Sequence, residues 1–335
     1  MAILSQPTSR LYGAVLAALL LLLPAGSWAE GQAGCADVRF PAQDLPDSAT
    51  IAALKDCDSE ALYYGIGMPA DPVRARACAF AERGGDDGPF SGDALLMTIY
   101  ANGSGVARNL DIALALACKI GGAPAEIEGR RAHLMALKTG AGTGEFSWCD
   151  DITSGAASAY CADHEARIEQ PKNQAQLAEL AKRWTGATAL LFARLREASD
   201  AFADSLAKNE VSPMGTAHAA LEVAAKASTQ RQLNDDLKAF ADNKPPSAGA
   251  ETATGADAQL NAVYRKIMRV PAEPFAEDTG RVQQAGIKET QRIWLKYRDA
   301  WLAFTASAYP GLPKGAVINW LTLRRVNQLA EFVRD

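Results

Sequence analysis

Histidine is scarce in this chain, and its three copies, His133, His164 and His218, fall on separate predicted helices. None has a His-x-x-x-His or His-Glu-x-x-His partner, which excludes a helical metal site of that kind. No Gly-x-Ser-x-Gly elbow, P-loop or Gly-x-Gly-x-x-Gly turn occurs, so the commonest nucleophile and nucleotide motifs are missing. The chain offers no nucleophile–base pair, and neither an enzyme nor a cofactor is expected. C-x-x-C pairs are absent too, which argues against thioredoxin-like redox work and zinc knuckles. β-branched alternation is rare, and strand signals never gather into a sheet. No apolar run reaches the roughly 20 residues of a membrane-spanning helix.

The most apolar run, Ala14 to Leu23, follows Arg10 and precedes Pro24, Gly26 and the small-residue ending Ser27-Trp28-Ala29. That order reads as an export leader over residues 1–29, cut after Ala29, with a soluble periplasmic or secreted product and no stable anchor. Cys35 lies well past the run, and Gln32 stands where a lipoprotein signal carries an aliphatic residue. All six cysteines, Cys35, Cys57, Cys78, Cys118, Cys149 and Cys161, lie beyond the cut and read as disulfides of an oxidising compartment. Six cysteines allow 15 connectivities. The half of the chain after Cys161 must hold together by helix packing alone.

Without the leader, 33 Lys and Arg stand against 39 Asp and Glu. That balance disfavours nucleic acid as a partner and suits a basic protein. Apolar residues recur at three and four almost throughout, as in Thr188–Leu206 with Leu191, Leu195, Phe202 and Leu206 on one stripe. Breaks fall at Gly84–Pro89, Thr139–Gly144, Ser212-Pro213 and Asn243–Gly255. The fold class expected is all-α. Its divisions are a repeat domain over 30–140, a helical region over 148–242, a linker over 243–256 and a helical domain over 257–335.

Tyr64-Gly65-Ile66-Gly67-Met68-Pro69-Ala70-Asp71 with Ala75 aligns, at an offset of 38, with Asn102-Gly103-Ser104-Gly105-Val106-Ala107-Arg108-Asn109 with Ala113. The paired glycines turn the chain, Asp71 and Asn109 cap the next helix, and the alanines allow close helix contact. These segments resemble Sel1-like repeats, the second copy (Asp93–Gly122) better than the first. The resemblance implies a short array of antiparallel helix pairs that binds proteins, with a third pair around Glu126–Leu137.

Beyond the repeats come Cys149-Asp150-Asp151-Ile152-Thr153 and Tyr160-Cys161, then Asp257-Ala258-Gln259-Leu260-Asn261-Ala262-Val263-Tyr264. Gln291-Arg292-Ile293-Trp294-Leu295-Lys296-Tyr297-Arg298-Asp299-Ala300 follows, and Leu321-Thr322-Leu323-Arg324-Arg325 closes the series. This set resembles the lysozyme inhibitor LprI family, specifically so across 257–330. The resemblance implies a helical bundle that binds a protein partner and inhibits lysozyme, with Asp257, Leu260, Asn261, Tyr264, Gln291, Trp294, Tyr297, Arg298, Asp299 and Arg324 as its motif residues. A lysozyme is basic, so an acidic partner would associate faster at low salt. Alternative readings are a cell-wall-associated hydrolase or β-lactam-related enzyme, and a protector against a periplasmic toxin. Two features depart from the family. No cysteine follows Ala300, which leaves Cys149 to pair with Cys161 or with the repeats, and the long stretch Gln170–Phe240 intervenes. Gln232-Leu233-Asn234 weakly echoes Gln259-Leu260-Asn261 there, as a degenerate copy would.

If Cys149 and Cys161 pair, a continuous helix between them is excluded. Twelve residues rise about 18 Å in a helix, against a disulfide Cα separation of about 6 Å. Gly155 supplies a break. Ile287, Trp294 and Trp301 fall every seven residues and predict one buried seam. Arg298 and Asp299 are expected to join Asn261, Tyr264 and Arg324 in a polar network fastening three helices. Exposed carriers of recognition are then sought at Arg292, Lys296 and Arg325. One of Asp150 and Asp151 is expected to cap the helix that follows, and His164 to lie on a solvated face.

Overall fold

The computed structural model of the chain describes residues 37–54, 56–85, 88–245 and 252–333. The expected leader, Cys35 and residues 246–251 of the expected linker lie outside them. The described residues form thirteen α-helices and no strand, in line with the all-α expectation.

Asp and Asn side chains start the early helices by accepting a free backbone N–H, as their short polar groups favour. Asp47 caps α1 (Ser48–Ala53), Asp58 caps α2 (Ser59–Tyr64) and Asp71 caps α3 (Pro72–Glu82). Helix α4 (Gly92–Asn102) follows, and Asn109 caps α5 (Leu110–Ala117). The offset of 38 is visible in the backbone bonds. Asp71 N donates to Leu62 O at 2.7 Å, and Asn109 N donates to Tyr100 O at 2.9 Å. Gly65 and Gly103 end their helices in the same left-handed conformation, at φ 73° and 72°. Ala75 and Ala113 are both fully buried, as close helix contact requires. A single helix, α6 (Pro124–Thr139), stands where a third helix pair was expected, and it packs on α5. Leu95, Leu96, Met97, Ile99, Tyr100, Leu116 and Leu134 form the centre of this first core.

Cys57 and Cys78 are disulfide-bonded with Cα atoms 6.0 Å apart, tying the approach to α2 onto α3. Cys149 and Cys161 are also bonded, at a Cα separation of 5.9 Å. No described cysteine is free. Between Cys149 and Cys161 the chain makes a short 3-10 turn, Trp148–Asp151, and then runs extended before α7 (Gly155–Ala181) begins. The break therefore falls at Ile152–Ser154, just ahead of Gly155. Gly155 serves a different need: a Cβ there would lie 2.0 Å from the carbonyl oxygen of Thr216.

Helix α7 passes from the first core, where Ala157 and Cys161 are buried, into a second core that receives Leu177. That second core is built by α7 with α8 (Gly186–Glu210), α9 (His218–Ala241), α10 (Ala253–Arg269), α11 (Ala272–Asp278), α12 (Gln284–Ala308) and α13 (Lys314–Ala330). Helix α10 begins inside the stretch read as linker, with Thr252 accepting from Gly255 N at 3.1 Å. The expected stripe of α8 holds, with Leu195 and Phe202 buried. Ile287, Trp294 and Trp301 are all at most 2% exposed, so the seven-residue seam of α12 is the centre of the bundle. Phe240, Phe304 and Trp320 pack around Trp301. Burying each such side chain contributes roughly 1.5–3 kcal/mol, which is how this half holds without disulfides.

Candidate functional site

Nine of the ten motif residues fall into three surroundings, with Leu260 shared by two of them, and Asp299 is exposed. Leu260, Trp294 and Tyr297 are core residues, with Tyr297 stacked on Phe202 at 5.3 Å between ring centroids. Arg324 leaves the others and grips Asp236 on α9 with both terminal nitrogens, at 2.6 and 2.9 Å. Asp257, Leu260, Asn261, Tyr264, Gln291 and Arg298 come together along one groove of about 400 Å³ between α10 and α12.

The single network expected around Arg298 and Arg324 is therefore not formed. Arg298 donates to Asp257 Oδ1 at 3.1 Å and lies 5.2 Å from the Trp294 ring centroid, while Asp299 and Asn261 are exposed. The reason lies in α9, whose Asp236 captures Arg324 on another side of α13.

Arg325 corrects the expectation more sharply, for it is fully buried. It meets Glu210 through both terminal nitrogens, at 2.5 and 2.9 Å, and donates from Nε to Gln291 Oε1 at 2.9 Å. Neighbours on a helix point about 100° apart, so Arg324 and Arg325 cannot share one environment. Arg292 and Lys296 are exposed, as expected.

Two further expectations fail for similar reasons. His164 is buried, stacked on Phe90 at 3.9 Å, with Nδ1 2.6 Å from Glu60 Oε1; Arg167 joins the same carboxylate. Its partner lies on α2, out of reach of local reasoning. Asp150 accepts from Ser147 N and Asp151 sits 3.1 Å from His133 Nδ1, so Ser154 is left to cap α7.

The groove is two helical faces laid antiparallel. Asp257, Leu260, Asn261 and Tyr264 recur at three and four on α10, and Lys288, Gln291, Arg292, Leu295 and Arg298 do so on α12. Both helices pack on α13. At one end Gln284 Nε2 donates to Ile267 O and Val270 O, at 2.7 and 2.8 Å; at the other Arg298 joins Asp257. These cross-bonds hold the helices apart at a set spacing. Lys288 and Leu295 were missed as site residues, although their spacing from Gln291 and Arg298 already placed them on that face.

Charge in the groove opposes the charge of the chain. Asp257 is the one carboxylate in the lining, against Lys288, Arg292 and Arg298. Burial pushes the Tyr264 hydroxyl above its usual pKa, and the Arg292 charge opposes that rise. Residues 246–329 carry 11 Lys and Arg against seven Asp and Glu, whereas residues 1–245 carry 22 against 30. The acidity of the whole chain thus says nothing about the face that the motif builds.

No curated protein and no solved structure shows a significant match to the chain. Residues 246–329, about a quarter of the chain and including every residue that lines the groove, match the family model described as Lysozyme inhibitor LprI.

Proposed function

We propose that this chain is an exported protein of an oxidising compartment that binds a protein partner through the α10–α12 groove, acts as a lysozyme inhibitor, and performs no catalysis. One observation carries the reading: five polar motif residues, Asp257, Asn261, Tyr264, Gln291 and Arg298, line an open groove instead of disappearing into the core. Residues needed only for packing would all be buried. The Cys57–Cys78 and Cys149–Cys161 disulfides suit such a compartment, since thiols stay reduced in most cytosols. The Sel1-like repeats add a second helical surface beside the bundle.

A lysozyme assay on purified cell walls tests the proposal. The mature protein should lower the rate of wall lysis, and Asn261→Trp, which fills the groove from an exposed position, should abolish that effect without lowering the melting temperature. Equal lysis with and without the intact protein, across lysozymes of several types, would sink the inhibitor reading.

A further inference from the structure

We propose that the α10–α12 groove takes an acidic segment of the partner protein, its carboxylates held by Lys288, Arg292 and Arg298. This inference rests on the groove being the partner-binding surface and adds the chemistry of what enters it.

The lining is rich in donors and poor in acceptors. Its one carboxylate, Asp257, is already engaged by Arg298. The Nε of Arg298 is buried and has no partner among the described residues. Gln291 turns its oxygen inward to Arg325, which leaves its amide N–H groups for the groove side. Among the described residues no hydrogen bond engages the Asn261 amide or the Tyr264 hydroxyl. Carboxylates suit such a lining: each accepts several N–H and O–H bonds and carries the charge that Lys288 and Arg292 lack opposite them.

The apolar part of the lining is small and defined. Leu260 forms the floor, and Leu295, 38% exposed, stands at the rim. Arg265 and Arg269, exposed on the neighbouring face of α10, extend the positive field past the groove. A short segment alternating acidic and aliphatic residues fits this pattern. A long polyanion such as nucleic acid fits less well, because residues 1–245 are acidic and would repel the part of it that runs past the groove.

The test uses the full mature chain and fluorescence anisotropy. The probes are a labelled short peptide of alternating Glu and Leu, its Lys–Leu counterpart, and an oligonucleotide of matching charge. The Glu–Leu peptide should bind, and raised salt should weaken it, because exposed charges are screened beyond a Debye length. Arg292→Glu and Lys288→Glu should each raise Kd about tenfold or more, as lost charge complementarity does. Lys208→Glu, at an exposed position on α8, should leave Kd unchanged. Equal binding of the Lys–Leu peptide or the oligonucleotide, or an unchanged Kd in both groove variants, would overturn the proposal. Self-association of the wild type that Arg292→Glu abolishes would overturn it in favour of a second copy of this chain. Lysozyme inhibition lost in Asn261→Trp but kept in Arg292→Glu would overturn the acidic chemistry while leaving the groove reading intact.

Discussion

Arg325 and Glu210 stand 115 positions apart in sequence and meet as a two-pronged ion pair, with both side chains withdrawn from solvent at 0% and 4% exposure. Removing one member of such a pair leaves the other charge buried and uncompensated, at a cost of about 3–5 kcal/mol. Arg325→Ala should therefore lower the melting temperature more than any other arginine substitution in the bundle. Circular dichroism on heating checks it. The double variant Arg325→Met with Glu210→Met should recover much of the loss, because it leaves no orphaned charge.

Arg298 tests a milder version of the same physics. Its partner Asp257 is 46% exposed, and water can replace the lost contact. Arg298→Ala should cost about 0.5–1.5 kcal/mol, and Lys296→Ala, on the exposed side of α12, less than about 0.5 kcal/mol. Melting curves of the three alanine variants should rank Arg325, Arg298, Lys296. A larger loss at Arg298 than at Arg325 would contradict the assignment of Arg325 to the core.

These side chains also show what the sequence discloses and what it withholds. The seam Ile287–Trp294–Trp301 could be read directly, since large apolar side chains at a seven-residue period have one way to be buried. The helix starts at Asp71 and Asn109 were legible for a similar reason: a cap acts on N–H groups two or three residues away. Arg325 was not legible, because the carboxylate that draws it inward lies on another helix, and an arginine beside a motif arginine looks like more of the same. His164 was misread for want of Glu60, 104 positions earlier. Long-range polar pairing leaves no periodic trace, whereas apolar packing does. Half the groove was readable on α10, and the rest would have been had Lys288 and Leu295 been counted with Gln291 and Arg298.

The short loop closed by Cys149 and Cys161 makes a further prediction. A cross-link over a loop of this size contributes about 3 kcal/mol. Cys149→Ser with Cys161→Ser should lower stability by about that amount and expose the start of α7. Thiol titration and chemical unfolding of the double variant measure it. Identical denaturation midpoints with and without the bond would show that the surrounding packing alone holds this hairpin.

Acid should loosen the first core through Glu126. Burial acts to raise its pKa, but backbone N–H bonds from Thr153, Ser154 and Ala123 outweigh that and hold it down to about 2. A carboxyl depressed in the folded state contributes stability that is present above its unfolded value, near 4.5, and is lost as pH falls from there toward 2. Stability of the wild type should therefore drop between those values, and Glu126→Gln should flatten that part of the curve while lowering stability at neutral pH. Denaturant midpoints taken across the acid range decide it. A wild-type curve as flat as that of the variant would remove Glu126 from the account.

Helix α7 has a bearing on how the chain comes apart. It lends Ala157 and Cys161 to one apolar interior and Leu177 to the other, along 27 residues of continuous helix. Neither interior has all its walls without it. Calorimetry on the intact chain should accordingly record a single heat-absorption peak whose calorimetric and van't Hoff enthalpies agree, two hydrophobic centres behaving as one cooperative unit.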